Sequence, residues 1–509
     1  MKKRIFTFIK ENLNEDEVFT QSVLLDDPNP SIPHPFGSED SFFYTTEIPS
    51  DLKSASTILK LYRDFLAGPT IEKRVTLYKN LQRCVVVSIC DPIVDAFTDE
   101  DVTQTTFDLA KQIFYNATHR EPLKFAFLLF GLYGMKKIRD EARDLWNDLI
   151  ICACCEEFTF YFLYACRITN FMPQKEIWRL IAATRGWGKV FAVNEAYCED
   201  RAKALWLIKN AYDLDVEYHP MSLSVINSTH LDEILKGEQI DHDTYKGAMA
   251  ICNSFLIFLD RYPVEVVEQN FNIGNFSTYQ LLKNLLKQAE AYANNPEDVL
   301  DIVGLRLGLE AMLQNETNYA IGNNNTHLLV AECERLIFSK DWTEDVHAKL
   351  LENGRVNYAV ADFAFELEID IWDELFNFWC HHPHETKLFA YLLSYEGQDK
   401  SDLVLHSICS NIKLFQNSKD ALLVPLNYLR YHSGEGESII ISGLTGMHDW
   451  PRGVATTTLE AWDHEDITPA IREALFKGLA MSNNQVVTAR IEALLKGEEF
   501  NMQDTGEMN

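Results

Sequence analysis

The feature that most constrains the fold of this chain is a succession of segments with helical periodicity. They recur roughly every 30 to 40 residues from about residue 55 to residue 496, which is the spacing of helical-repeat proteins. Ile58, Leu61, Tyr62 and Phe65 form the first apolar stripe, which a neighbouring element must cover. No convincing strand–helix alternation accompanies this pattern. The sequence therefore predicts an all-α chain, arranged as an α-solenoid of helical hairpins.

Two segments show the repeat most directly. Residues 121–129 align with residues 156–164 at an offset of 35 residues (156 minus 121), each with an acidic start. The matched apolar pairs are Leu123 with Phe158, Phe125 with Phe160, Phe127 with Phe162, and Leu128 with Leu163. Residues 158–162 alternate like a strand, but the apolar run continues beyond them, and that length favours a helix.

The N-terminal 53 residues differ from this array. They contain a group of helix-breaking prolines, Pro28, Pro30, Pro33, Pro35 and Pro49. We therefore predict that residues 1–53 form a largely irregular arm. The aromatic group at residues 42–44 predicts that this arm packs against the first helices.

Residues 54–496 are predicted to form a single solenoid, followed by a polar tail at 497–509. Asn295-Pro296 is a helix-start signal. In the helix that follows, Leu307 is expected in the core, so that Leu307→Ala should cost about 2 to 5 kcal/mol. Two irregular breaks are predicted, at 213–247 and at the glycine-rich residues 431–453.

Charge and composition exclude several classes of function. Acidic residues outnumber basic ones by 76 to 46, and the formal charge of −30 would repel nucleic acid and anionic lipid. No apolar window approaches the roughly 18 to 20 residues of a membrane span, and the apolar stretch at residues 5–9 is too short for a signal peptide. The eleven cysteines follow no disulfide spacing. We therefore expect a cytoplasmic protein without a membrane or nucleic-acid partner.

One group of residues has the chemistry of a binding site. Arg185, Trp187 and Lys189 alternate around a predicted helix start, and Asn194 and Glu195 follow. A guanidinium, an indole ring and a helix N-terminus together would bind an acidic or aromatic partner group. The alternative is a packing turn, in which Gly186 and Gly188 let adjacent helices approach and the indole fills the gap.

Two other clusters contain possible metal ligands. Cys380, His381, His382 and His384 are the densest set, and thiolate with imidazole suits zinc. Consecutive residues in a turn seldom converge on one ion, so a helix end followed by a turn is the favoured interpretation, and no metal is predicted. Cys152 and Cys155 form one C-x-x-C without a second pair at zinc spacing, and we interpret them as small packing residues.

The chain resembles bacterial HEAT/armadillo-like proteins of uncharacterised function. The resemblance rests on short repeat units over roughly residues 100–210 and 455–496, and above all on the stretch Thr184-Arg185-Gly186-Trp187-Gly188-Lys189-Val190-Phe191-Ala192-Val193-Asn194-Glu195. HEAT-like arrays generally act as concave platforms for protein partners, and the resemblance implies this function and a right-handed superhelix. Some relatives of this kind are labelled limonene hydroxylases, a name that implies an oxygenase.

No cofactor motif supports the oxygenase label. A di-iron bundle needs two Glu-x-x-His motifs, and residues 344–347 supply one. The chain also contains no G-x-G-x-x-G, P-loop, G-x-S-x-G or H-E-x-x-H motif. We therefore predict a non-catalytic scaffold without a cofactor, which binds a protein or peptide on its concave surface. The alternative is an enzyme or small-ligand-binding protein with a pocket in the array and residues 431–453 as its lid.

Overall fold

The structure is a computed structural model that describes residues 3–26, 35–45, 49–211, 221–237, 239–262, 276–394, 398–415, 418–498 and 500. The regular secondary structure of the described residues is almost entirely helical, which confirms the all-α prediction, and its one sheet is a two-stranded hairpin. The chain divides into two compact units, Met1–Lys340 and Asp341–Asn509. Among the described helices, none is both long enough and apolar enough to cross a membrane.

The first unit contains the helices α1 to α19. Their bounds are α1 Ile5–Glu11, α2 Ser38–Thr45, α3 Leu52–Ala67, α4 Ile71–Leu81, α5 Cys90–Ala96, α6 Gln104–Asn116, α7 Arg120–Tyr133, α8 Met135–Glu141, α9 Arg143–Ala153, α10 Glu156–Ile168, α11 Gln174–Ala183, α12 Gly186–Asn194, α13 Arg201–Asn210, α14 Met221–Thr229, α15 Leu231–Lys236, α16 His242–Arg261, α17 Thr278–Ala289, α18 Pro296–Gln314 and α19 Asn323–Ile337. Short 3₁₀ helices lie at Val86–Ile89, Asp99–Asp101 and Asn318–Ala320.

The second unit contains α20 to α30 and the hairpin. Their bounds are α20 Thr343–Lys349, β1 Leu351–Glu352, β2 Arg355–Val356, α21 Tyr358–Glu366, α22 Trp372–His381, α23 Leu388–Leu392, α24 Gln398–Ser410, α25 Ile412–Phe415, α26 Leu423–Leu429, α27 Glu437–Thr445, α28 Asp449–Glu460, α29 Pro469–Met481 and α30 Gln485–Lys496. The strands are antiparallel, with Leu351 opposite Val356. A 3₁₀ turn lies at His464–Asp466.

The two repeat segments that align in sequence are the central helices α7 and α10, which pack directly against each other. Ten consecutive residues of each helix are buried, so both are covered on every side. A Cβ added to Gly131 of α7 would lie 2.8 Å from Cα of Ala165 in α10, so the two backbones are in close contact there. The prediction of a helix at residues 158–162 is confirmed, because burial on all sides removes the need for a polar face.

The prediction of a largely irregular N-terminal arm is wrong for two stretches, because α1 and α2 are helices. Burial drives the first of them: Ile5, Phe6 and Ile9 are buried, and the Phe6 ring lies 4.8 Å from that of Phe114 in α6. Residues 27–34, with three of the prolines, lie outside the described residues, as do the side chains of residues 42–44. Residues 35–41 pack on α7, α10 and α12.

Both predicted irregular breaks are largely helical. In the first, α14, α15 and the start of α16 account for most of the described residues, while 212–220 and 238 lie outside them. In the second, α27 and α28 replace the predicted loop and lid. Its glycines have packing roles: Gly436 begins α27 at a positive φ of 61°, and a Cβ at Gly443 would meet Leu426 and Ala455 at 3.0 and 3.1 Å.

Local capping explains how the second break folds. Arg452 of α28 is only 1% exposed, and its guanidinium donates to the carbonyl oxygens of Leu444 (2.9 Å) and Gly446 (2.7 Å) at the end of α27. It also pairs with Asp449. Because the last carbonyls of a helix have no partner within it, this one side chain stabilises the α27–α28 turn.

Two sequence predictions about individual helices have different outcomes. Asn295 caps α18 by accepting from the backbone N–H of Asp298, with Pro296 in the first turn, as predicted. Leu307 in the same helix is 42% exposed, so its placement in the core was wrong. Leu305 and Leu309 face the core instead, because α18 packs on both α16 and α19 and its buried face is broad.

Candidate functional site

The predicted binding group around α12 is spread along the whole helix. Arg185 is the exposed N-cap residue, and Asn194 is the exposed last residue. Lys189 donates to the Asn210 carbonyl oxygen at 3.3 Å, and Glu195 forms an ion pair with Arg167. Lys189 and Glu195 therefore contact other parts of the same unit, and Arg185 and Asn194 lie at opposite ends of α12.

The glycines on either side of Trp187 have structural roles. Gly186 has a positive φ of 47°, and a Cβ at Gly188 would lie 2.9 Å from both Cγ of Glu156 and Oγ1 of Thr159 in α10. Trp187 is half-buried and packs near Phe191, with ring centroids 6.2 Å apart. This geometry is that of a packing turn between α12 and α10, while the role of the group in binding stays a prediction.

The metal-ligand candidates of the second unit do not converge either. Cys380, His381, His382 and His384 are all exposed, and α22 ends at His381. Nδ1 of His381 lies 2.8 Å from the Asn377 carbonyl oxygen, and the His382 ring stacks on Phe378 at 4.2 Å. Within the described part of the chain, no three His, Cys, Asp or Glu residues are placed to hold a metal ion.

The C-x-x-C pair lies in the core of the first unit. Cys152 and Cys155 are fully buried and form no disulfide. Burial raises the pKa of both thiols well above the ordinary value, and burial raises the pKa of the intervening Cys154 to about 12. These thiols therefore stay protonated at neutral pH, and protonated thiols are poor nucleophiles and poor metal ligands.

A buried ionic cluster surrounds Lys124 of α7, a side chain that is 1% exposed. Its ammonium lies 3.1 Å from Oδ2 of Asp40, 3.0 Å from Oε1 of Glu121 and 2.8 Å from Oε1 of Glu157. Tyr161 donates to Oδ1 of Asp40 at 2.6 Å. Three elements, α2, α7 and α10, thus supply one connected network.

A second cation extends the cluster towards the N-terminus. The Arg120 guanidinium lies 3.4 Å from Oε1 of Glu157 and 3.4 Å from Oδ2 of Asp26, which also accepts from the Arg120 backbone N–H at 2.7 Å. Backbone groups complete the acceptors: Gly37 N–H donates to Glu157 at 3.1 Å and Val86 N–H to Glu121 at 2.6 Å. Most polar atoms of the cluster therefore have partners.

Burial and charge shift the ionisation of the cluster in opposite directions. Burial would raise the pKa of Glu157, but Lys124 and Arg120 lower it below its usual range. Burial disfavours the Lys124 ammonium, yet the surrounding carboxylates raise its pKa well above the ordinary value. Asp40 behaves differently, because burial raises its pKa to about 7 against the attraction of Lys124.

The cluster was not predicted from the sequence, although the two helices that carry most of it, α7 and α10, align in sequence. Lys124 stands inside the apolar run of α7, and Glu157 directly precedes the apolar run of α10. A charged residue within a helix that is otherwise apolar on all faces must be buried with a counter-ion. That signal identifies the two residues, but it does not identify their partner Asp40, which is 84 residues from Lys124 in the chain.

A surface groove of about 410 Å³ lies between α4 and α6. Its lining residues are Arg74, Val75, Tyr78, Lys79, Gln82, Gln112, Ile113 and Asn116. Both charged lining residues are cationic, in a chain with a formal charge of −30. Arg74 bonds to Gln112 across the groove, and the Val75 side chain is 43% exposed. The groove therefore combines positive charge, amide groups and apolar surface.

A second groove, of about 320 Å³, lies between α17 and α19. Its lining residues are Tyr279, Lys283, Asn284, Lys287, Glu290, Leu328, Leu329 and Glu332. Both of its carboxylates pair with Arg335, at 2.6 and 2.7 Å. Because the charges here are mixed, this groove lacks the single sign of the first one.

Comparisons with known proteins add no relative: no protein-family model, no curated protein and no solved structure matches the chain.

Proposed function

We propose that this chain is a non-catalytic interaction scaffold, and that the groove between α4 and α6 binds an acidic peptide segment of a protein partner. The observation that carries the proposal is the charge of the groove. Its two ionic side chains, Arg74 and Lys79, are both cationic, although acidic residues outnumber basic ones by 76 to 46 in the whole chain. Such a local reversal of sign attracts and orients an acidic segment.

The other lining groups suit a peptide. The side-chain amides of Gln82, Gln112 and Asn116 offer both donors and acceptors for a peptide backbone. Val75 offers exposed apolar surface to an aliphatic side chain of the partner. The volume of about 410 Å³ is within the usual range of ligand sites, of order 300 to 1,000 Å³. A short acidic segment with one or two apolar residues matches these features.

The proposal includes a HEAT-like α-solenoid with a right-handed superhelix. It is supported by the order of packing in the first unit, where α6 packs on α7, α7 on α10, α10 on α12, α12 on α14, α14 on α16, α16 on α18 and α18 on α19. Helices that mainly contact their near neighbours in the chain are typical of solenoids. Eleven free cysteines support a reducing, cytoplasmic compartment.

The proposal is tested with two labelled peptides of twelve residues that have the same leucine content, one rich in glutamate and one rich in lysine. Fluorescence anisotropy on the full chain should show binding of the acidic peptide alone. The double variant Arg74→Glu with Lys79→Glu should weaken binding about tenfold or more, since two favourable charge contacts become repulsive. Raising the salt concentration should weaken the wild-type interaction.

A matched control uses the other groove. The double variant Lys283→Glu with Lys287→Glu makes the same change of charge on α17, outside the proposed site. It should leave the affinity for the acidic peptide within about twofold of wild type. Equal loss in both double variants would show that binding follows net charge alone and would contradict the assignment to the α4–α6 groove.

A further inference from the structure

The N-terminal residues 35–41 lie on a face built from α7 and α10. Phe36 and Gly37 are buried, and Asp40 and Ser41 are 1% and 3% exposed. A Cβ at Gly37 would lie 3.2 Å from the Glu156 carbonyl oxygen and 3.3 Å from Cβ of Trp187, so this stretch also contacts α12 closely. These contacts join residues at least about 120 positions apart in the chain, as in the 3.1 Å bond from Gly37 N–H to Glu157.

Without residues 3–41, the face that receives residues 35–41 is balanced in charge. Its described ionic groups that contact one another are Arg120, Glu121 and Lys124 of α7 and Glu157 of α10, two cations with two carboxylates. Residues 3–41 then add Asp26 beside Arg120 and Asp40 beside Lys124. Among the described residues, the docked cluster has two more carboxylates than cations, in a place where Asp40 and Lys124 are both 1% exposed.

We propose that the α7–α10 face is a docking surface for the chain's own residues 35–41, and that these residues dock with the uptake of one proton by the buried carboxylate cluster. The excess of negative charge and the lack of solvent carry this inference, because neither Lys124 nor Arg120 can neutralise all four carboxylates. The docking of residues 35–41 on this face is thus pH-dependent.

Asp40 is the carboxyl that takes up the proton. The groups that face it are Lys124 and Glu121 of α7, Glu157 and Tyr161 of α10, and Cys90 of α5. Burial raises the pKa of Asp40 from 3.8 to about 7, with Glu157 and Glu121 adding to the rise and Lys124 and Tyr161 opposing it. Glu157 stays ionised, because its two cations lower its pKa.

The direction of the pH dependence follows from the difference between the pKa of Asp40 in the docked state and its ordinary pKa. The docked state binds the proton more tightly than the released state, in which Asp40 has its ordinary pKa of 3.8. Proton uptake therefore favours docking fully below the ordinary pKa, and this contribution is lost as the pH rises through about 7. Residues 35–41 should be held more tightly at pH 6 than at pH 8.

The test is hydrogen–deuterium exchange of the full chain at several pH values between 6 and 8, corrected for the intrinsic exchange rate. Peptides covering residues 36–41 should lose about tenfold in protection from pH 6 to pH 8, the change expected for release of one proton with a pKa near 7. Peptides from α18 should show no comparable change. The variant Asp40→Asn should reduce the change to less than about twofold.

Glu39→Gln is the matched control, because Glu39 is the exposed neighbour of Asp40 in the same helix. It removes the same charge from α2 but should keep the tenfold change. The proposal is overturned if the wild-type peptides covering residues 36–41 keep constant protection between pH 6 and pH 8. It is equally overturned if protection of residues 36–41 keeps its full pH dependence in Asp40→Asn. Wild-type protection of α18 shows that this variant is folded.

Discussion

Two buried cations, one in each compact unit, are neutralised in different ways. Lys124 and Arg452 are each 1% exposed. Arg452 finds its acceptors within eight residues, at Leu444, Gly446 and Asp449. Lys124 depends on Glu157 and Asp40, which are 33 and 84 positions away (157 minus 124 and 124 minus 40).

A buried cation with acceptors nearby in the chain therefore has other consequences than one whose partners are distant in the chain. The guanidinium of Arg452 binds neutral carbonyl groups and one carboxylate, so its site contains no excess of negative charge. The ammonium of Lys124 attracts more carboxylates than it neutralises, and one of them becomes a proton acceptor near neutral pH. A local cap stabilises a turn, whereas the long-range cluster couples docking of the N-terminal residues to pH.

The largest effect is expected for Lys124→Met. It leaves the buried Asp40 and Glu157 and the half-buried Glu121 without their shared cation, and unpaired buried charge costs about 3 to 5 kcal/mol. Urea denaturation monitored by hydrogen exchange of α10 should show this loss. The exposed Lys136→Met is the control and should change stability by less than about 0.5 kcal/mol. Wild-type stability in Lys124→Met would refute the role of the ammonium as the cluster's counter-ion.

Arg452→Met should have the next largest effect. It leaves the carbonyl oxygens of Leu444 and Gly446 without their guanidinium donor, at a cost of about 2 to 3 kcal/mol. Hydrogen exchange of α27 and α28 peptides under increasing urea measures it. Arg472→Met in α29 removes an exposed guanidinium and serves as the control. A similar loss in both variants would mean that the cap contributes nothing specific.

Alanine substitutions at two glycines test how tightly helices pack at α7–α10 and at α28. Gly131→Ala places a Cβ 2.8 Å from the backbone of Ala165, so α7 and α10 must separate, at about 1 to 3 kcal/mol. Gly453→Ala in α28 meets only Cγ2 of Val487 at 3.4 Å and should be neutral or stabilising by up to about 1 kcal/mol. Thermal unfolding of both variants measures the contrast. Equal effects would mean that the α7–α10 contact can relax without cost.

The smallest effect is the pH dependence of stability. Because the folded-state pKa of Asp40 is raised to about 7, its contribution is lost as the pH rises, by about 1.4 kcal/mol between pH 6 and pH 8. Urea denaturation monitored at α10 should show this slope in wild type and a flat profile in Asp40→Asn. The stability of the α28 region should not depend on pH in this way. The same pH dependence at α10 and α28 would mean that a group other than Asp40 titrates.

The helices that the sequence predicted well are those whose signals are local. An apolar stripe predicted α3, the length of an apolar run predicted α10, and Asn295-Pro296 predicted the start of α18. Each signal depends on residues within a few turns of one another, so no partner helix is needed to interpret it.

The failures have a common physical cause. Glycine density predicted a loop at residues 431–453, but Gly443 sits inside α27 because a side chain there would collide with Leu426 and Ala455. Periodicity placed Leu307 in the core, yet α18 turns that residue to solvent. In both cases the neighbouring helices decide whether a residue is a packing contact or a surface residue, and periodicity within one helix does not show where its neighbours lie.

The sequence by itself determined the helical class of this protein, the start of α18 and several apolar faces that must be buried, because hydrogen bonds and capping within a helix involve nearby residues. Only the tertiary structure brought Asp40 to Lys124, placed two cations in the α4–α6 groove and packed Trp187 against the N-terminal residues. Charge and burial act through space, so the ionisation of Asp40 is set by side chains that are distant in the chain.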